Sequence, residues 1–146
     1  MNSSCLNKKG IHWTAVPREN TVRNETVLVV DDNKIMRDML RGILETEGFS
    51  VSSCEDGPSA IKLAGEKQFE IVLTDFQMPD MNGDEVVKLV RQQHPNTFIV
   101  GFSIANKKQV FLEAGANHFI SKEQLLPDLI PTIESRTKMS NEPRQN

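Results

Sequence analysis

Residues 26–32, TVLVVDD, and 69–75, FEIVLTD, decide how this chain folds. Each run is short, apolar and rich in β-branched side chains, and each closes on acid: Asp31 and Asp32 end the first, Asp75 ends the second. An unbroken apolar run of that length suits a strand covered on both faces, as in a parallel sheet. Two such strands lying parallel would deliver three carboxylates into one crevice beyond their carboxyl ends. Carboxylates so crowded call for a divalent cation, and the arrangement suits an aspartate that accepts a phosphoryl group.

Outward from the first run the period changes from strand to helix. Ile35, Met36, Met39, Leu40, Ile43 and Leu44 recur at helical spacing with Lys34, Arg37, Asp38, Arg41 and Glu45 opposite, and Gly48 marks the stop. The same unit follows four more times. Residues 49–54 precede a helix opened by Gly57, Pro58 and Ser59 that runs through Lys67, and 69–74 precede one over 83–93. Residues 97–103 precede a helix over 107–114, and 118–120 precede a last helix striped by Leu125, Leu126, Leu129, Ile130 and Ile133. Parallel neighbours need crossovers, and right-handed crossovers put helices on both faces. The class expected is α/β, a five-stranded, doubly wound parallel sheet. Its ligands should sit at the strand exits: Asp31 and Asp32, Asp75, Ser103, and residues 120–122. Pro127 fits the first turn of the last helix; Pro131 cannot donate to the residue four before it and is expected to bend that helix or shift its start.

At 146 residues and 38% apolar content, the chain has material for one domain with a real core, placed at residues 25–135. Residues 1–24 read as a polar, flexible extension whose one large apolar group is Trp13, and 136–146 as a polar C-terminal tail too short for an effector domain. The net charge of -3 divides into +3 over residues 1–24, +1 over 134–146 and -7 between them. An acidic body of this kind leaves no footprint for nucleic acid. Cys5 and Cys54 have neither disulfide nor metal spacing, which fits a reducing cytosol. No uninterrupted apolar run exceeds four residues, so neither a secretion signal nor a membrane span is expected. The expectation is a cytoplasmic protein bound to neither membrane nor nucleic acid. His12, His94 and His118 show no ligand spacing and read as ordinary structural residues.

VLVVDDN, LTDFQMPDMNG, the hydroxyl of Ser103 after FIVGF, and GANHFISK ending in Lys122 together resemble the receiver domain of bacterial two-component response regulators. The resemblance covers about residues 25–134, to a module seen in its simplest form in the single-domain chemotaxis regulator; it implies the flavodoxin-like (βα)5 fold. It implies Asp75 as the phosphorylated side chain and Asp31 and Asp32 as the acidic pair. Asp32 and Asp75 would be direct Mg²⁺ ligands, joined by the backbone carbonyl of Gln77. Lys122 would pair with Asp75 at rest and with a phosphoryl oxygen afterwards. Ser103 and Phe119 would be the switch, moving inward on phosphorylation and changing the surface of the fourth helix, fifth strand and fifth helix. The donor implied is a phosphohistidine on a histidine kinase or a histidine-phosphotransfer protein, and the output is an unknown downstream protein. Magnesium also fits the residues themselves, because it takes a few carboxylate oxygens together with waters and phosphate.

Three positions depart from the family. Ile104 stands after the switch hydroxyl where Ala or Gly is usual, and its bulk is expected at the mouth of the crevice, restricting entry of water and small phosphodonors. Glu123 follows the lysine where a proline in a cis peptide is common, so a trans linkage is expected. Only eleven residues separate Ser103 from Gly115, about one helical turn fewer than usual, which predicts a short fourth helix and an altered output face.

The function expected is that of a stand-alone receiver, a phosphoacceptor rather than an enzyme, which promotes its own phosphorylation and dephosphorylation. It either switches partner binding or relays phosphate onward. One alternative is a phosphate-independent interaction module that kept the acids and lost switching through Ile104, Glu123 and the short helix. Another is a small Mg²⁺-dependent hydrolase with an aspartyl-phosphate intermediate, but VVDDN lacks the D-x-D spacing of that class and no cap or substrate pocket is evident.

Overall fold

The computed structural model describes residues 24–141, with the side chains of 24–136. The expectations for Cys5, His12, Trp13 and the rest of the N-terminal extension through residue 23, and for residues 142–146, lie outside the described residues. Five strands alternate with five helices: β1 (Thr26–Val30), α1 (Lys34–Thr46), β2 (Ser50–Cys54), α2 (Gly57–Glu66), β3 (Ile71–Asp75), α3 (Gly83–Gln93), β4 (Phe98–Ser103), α4 (Lys108–Ala114), β5 (His118–Ser121) and α5 (Leu125–Asn141). All strand pairs are parallel, in the order β2-β1-β3-β4-β5. The chain reverses direction across the sheet between β1 and β3, and that is where a doubly wound sheet opens a crevice.

Alternate side chains of each strand point to opposite faces, and both faces are covered. Val27 and Val29 of β1, with Ile71 and Leu73 of β3, pack under Leu40 and Leu44 of α1 and Leu125, Leu129 and Ile133 of α5. Leu28, Val30 and Val72 face the other way, against Ala60 and Ala64 of α2, Val86, Val87 and Val90 of α3, and Phe111 of α4. Central β1, β3 and β4 are buried almost throughout, which is why their sequences read as continuous apolar runs. Edge strand β2, SVSSC, is only half-buried and correspondingly polar.

The helices start where their sequences supply caps. Asn33 Oδ1 accepts from Met36 N at 3.0 Å ahead of α1, and Asp56 Oδ1 accepts from Ser59 N at 2.8 Å ahead of α2, whose first turn holds Pro58. Helix α4 has seven residues, in line with the short stretch between Ser103 and Gly115. Helix α5 differs from expectation in two ways. It starts at Leu125 with Pro131 inside it, so Pro131 does not set its start. It also continues to Asn141, into the stretch read as a tail, because nothing between Ile133 and Asn141 is a helix breaker. Arg136, the first residue of that stretch, places Nη2 2.7 Å from Glu25 Oε2 and so ties α5 to the start of β1.

His94 and His118 are structural, as read. His94 Nε2 lies 2.8 Å from the Ala64 carbonyl, joining the end of α3 to α2, and His118 packs on the Phe98 ring at 5.6 Å. No helix among the described residues is long and apolar enough to cross a membrane.

Candidate functional site

The exits of β1, β3, β4 and β5 meet at one end of the sheet, and their register fixes which side chains share the space. Asp31 follows β1 and is held by its backbone: its N–H donates to the Cys54 carbonyl at 3.2 Å, and its own carbonyl accepts from Arg37 Nη1 at 2.7 Å. Its side chain turns inward, fully buried, with Oδ1 accepting from Asn33 N at 2.9 Å. Asp32 turns outward and is exposed. Neighbouring residues on an extended backbone point to opposite sides, so one acid of the pair lies deep and the other at the rim.

Asp75 is the last residue of β3, level with Phe102 of β4, and is only 5% exposed. Its Oδ1 accepts from Phe76 N at 2.8 Å; its Oδ2 accepts from Lys122 Nζ at 3.3 Å. Lys122 reaches it because the Lys122 N–H donates to the Ser103 carbonyl at 2.9 Å, extending the β4–β5 pairing by one step. The ammonium also lies 3.5 Å from Asp31 Oδ2 and 5.6 Å above the Phe102 ring. The contact with Asp31 is an ion pair without hydrogen-bond geometry: Oδ2 is buried and accepts no hydrogen bond among the described residues.

Asp31, Asp32 and Asp75 each offer an oxygen, and the three lie within 4.8 Å of one another. Burial pushes the Asp31 carboxyl up to about 6, reinforced by the charge on Asp75 and opposed by the Asn33 hydrogen bond and Lys122. Burial also raises Asp75, against the pull of Lys122 and the Phe76 N–H, while the charge on Asp32 adds to the rise. One ammonium thus serves two buried carboxylates, which leaves negative charge uncompensated. Hard oxygen donors, an excess of negative charge and a buried carboxylate oxygen without a hydrogen bond together fit a small divalent cation.

The loop after Asp75 folds back close against its backbone. Gly83 N donates to the Phe76 carbonyl at 2.7 Å, and a Cβ at Gly83 would collide with the Asp75 carbonyl, so only glycine allows this approach. Met78 anchors the loop in the core and Asp80 takes a left-handed φ of 71°. Gln77 is exposed and lines the crevice with Asp32, Asp75, Ser103, Ile104 and Lys122. Ser103 is 6% exposed, its Oγ accepting from Ala105 N at 3.2 Å. Ile104 is 81% exposed and stands at the rim. Phe119 is half-buried, its ring 5.9 Å from that of Phe111. The peptide between Lys122 and Glu123 is trans.

The acids, Gln77, Ser103, Ile104 and Lys122 therefore fall at one end of the sheet; Phe119, level with Gly101 of β4, is not part of the crevice lining and packs on Phe111 of α4 instead. Sequence reading missed Phe76 and Lys107, which also line the crevice. It also missed Asn33 and Arg37, which orient Asp31; the only signal for Asn33 was its fitness as a helix cap.

Over residues 27–134 the chain matches the family of response regulator receiver domains. It is 27% identical over 116 residues to the polar-differentiation response regulator DivK of Brucella anthropi, a span of 76% of this chain and 94% of DivK. The structure is similar to that of chemotaxis response regulator CheY4 of Vibrio cholerae, with a TM-score of 0.73 and 30% identity over 78% of this chain and 99% of CheY4. It shares its fold with response regulator TrrA of Thermotoga maritima, solved in complex with Mg²⁺ and BeF, with a TM-score of 0.72 and 23% identity over 77% of this chain and 98% of TrrA. The matched span runs from β1 into α5 and takes in every carboxylate of the crevice, and the chain belongs to the response regulator receiver domain family of two-component signalling.

Proposed function

We propose that this chain accepts a phosphoryl group on Asp75 from a phosphohistidine, with Mg²⁺ bound at the acidic crevice, and passes the signal on by changing its surface or by relaying the phosphate. The observation that carries the reading is the environment of Asp75: a nearly buried carboxylate at the sheet's carboxyl end, 3.3 Å from Lys122 and clustered with two further carboxylates.

In the step proposed, a carboxylate oxygen of Asp75 attacks phosphorus in line. The bond from that oxygen to phosphorus forms as the bond from phosphorus to the donor imidazole nitrogen breaks, and the imidazole takes up a proton as it leaves. Lys122 faces the charge on the equatorial oxygens, and the Phe76 N–H holds the other Asp75 oxygen in place. Asp31, Asp32, Asp75 and the Gln77 carbonyl would hold the cation, which when bound offsets carboxylate and phosphoryl charge. The acyl phosphate formed adds about two negative charges, and Ser103, beside the site, is the hydroxyl available to meet them. The phosphorylated chain is itself the product that carries the signal, so the chain is a phosphoacceptor rather than a turnover enzyme. Its upstream partner is a histidine kinase or histidine-phosphotransfer protein, and its downstream partner a protein that reads α4, β5 and α5.

The test is incubation with a labelled phosphohistidine protein and Mg²⁺. One phosphoryl group per chain, lost in Asp75→Asn and in chelator, supports the reading. An unlabelled wild type favours the phosphate-independent interaction module instead.

A further inference from the structure

Lys107 belongs to none of the motifs that mark the family, yet it lines the same crevice as Asp75 and Lys122. It is half-buried, whereas Asn106 before it and Lys108 after it are exposed. Its ammonium sits over the Phe76 ring, 4.6 Å from the centroid. Among the described residues it meets no carboxylate, and no carbonyl accepts from it. A ring face attracts a cation but accepts no strong hydrogen bond, so Lys107 stands at the rim with its donors unspent. Lys122 differs, since it is already divided between Asp75 and Asp31.

Phosphorylation of Asp75 would add about two charges and three acceptor oxygens to this space, more than one shared ammonium can meet. The geometry points to Lys107 as a second cationic contact for the phosphoryl group on Asp75, drawn from the Phe76 ring to the phosphoryl oxygens. This inference rests on Asp75 being the acceptor. It has a structural consequence, because Lys107 immediately precedes α4 and its carbonyl accepts from Phe111 N at 3.0 Å. Phe111 in turn packs edge-on to Phe76 at 5.8 Å and against Phe119 at 5.9 Å. Movement of Lys107 off Phe76 therefore acts on one end of an aromatic stack that runs through Phe111 to Phe119 of β5, a route from the crevice to α4 separate from the Ser103 hydroxyl.

The experiment uses the full chain with Mg²⁺, acetyl phosphate as an anionic donor and beryllofluoride as a phosphoryl mimic. It compares wild type with Lys107→Gln, Lys107→Arg and, as a control for surface charge, Lys108→Gln. Lys107→Gln should weaken beryllofluoride binding about fivefold, the size of one partly exposed charge pair. It should slow phosphorylation by acetyl phosphate by a similar factor, because the contact is gained only as the phosphoryl group reaches Asp75. Lys107→Arg should restore most of the loss, and Lys108→Gln should change little. Equal behaviour of Lys107→Gln and wild type, or equal losses in Lys107→Gln and Lys108→Gln, would overturn the assignment while leaving Asp75 as the acceptor. A wild type that binds neither reagent and takes no label from a phosphohistidine protein would remove the acceptor reading and this one with it.

Discussion

Asp31 is buried beside a second buried acid, and a charge there is costly until something offsets it. Its carboxyl holds its proton up to about 6 in the folded protein against an ordinary value of 3.8 in the unfolded chain. The folded state therefore binds more protons across that window, and the contribution of Asp31 to stability falls as pH rises through it. In chelator, Asp31→Asn should match wild type near pH 4 and exceed it above pH 6 by roughly 2–3 kcal/mol, the free-energy equivalent of the displacement. Urea unfolding of the two proteins at several pH values checks this; parallel curves would contradict it. Ile104 at the rim gives a second prediction. Once phosphorylated, Ile104→Ala should lose its phosphate several-fold faster than wild type, because the exposed isoleucine narrows the approach of water; equal decay rates measured by label release would refute that role. At this scale the sequence indicated which acids meet in the crevice but not how they divide. Nothing in VVDDN says that Asp31 turns in and Asp32 out, because that depends on Arg37 and Asn33 gripping the backbone and side chain of Asp31. Nor did any local pattern mark Lys107, whose place in the crevice follows from the path of the chain between β4 and α4.

Elements were more legible than residues, because burial on two faces writes itself into composition and helical packing writes itself into period. The β1 and β3 runs read as strands for that reason, and α1 and α3 emerged within a residue or two of their observed ends. Helix α5 was harder, since Pro131 argued for a bend or a shifted start, yet the burial of Leu125, Leu129 and Ile133 against the sheet overrides the missing hydrogen bond. The α4 element packs by a device the sequence did not announce. Phe111 lies against Gly101 of β4, and a Cβ at that position would collide with the Phe111 ring. Gly101→Ala should therefore destabilise the fold by about 1–3 kcal/mol, an overpacking cost. Pairing it with Phe111→Leu should recover part of the loss, as read by chemical unfolding. Additive losses in the double variant would mean that the two residues do not contest the same space.

Across the whole molecule, the parallel topology is what gathers acids, hydroxyl and lysine from four strand exits, since every strand of a doubly wound sheet points its carboxyl end the same way. Sequence reading anticipated this gathering because the class of sheet follows from the alternation of strand and helix, and the class fixes the end at which the site lies. If the crevice holds Mg²⁺, the cation should stabilise the fold as a whole, by about 2.7 kcal/mol at a concentration one hundred times the dissociation constant. Thermal unfolding with and without Mg²⁺ should show the shift in wild type and little of it in Asp32→Asn; a shift of equal size in both would place the cation elsewhere. The most direct measurement locates the phosphate itself. After reaction with a phosphohistidine donor, reductive trapping of the acyl phosphate and peptide mass mapping should find the modification on Asp75 alone. Modification of Asp31 or Asp32 in its place, or none on any carboxylate of the crevice, would contradict the account.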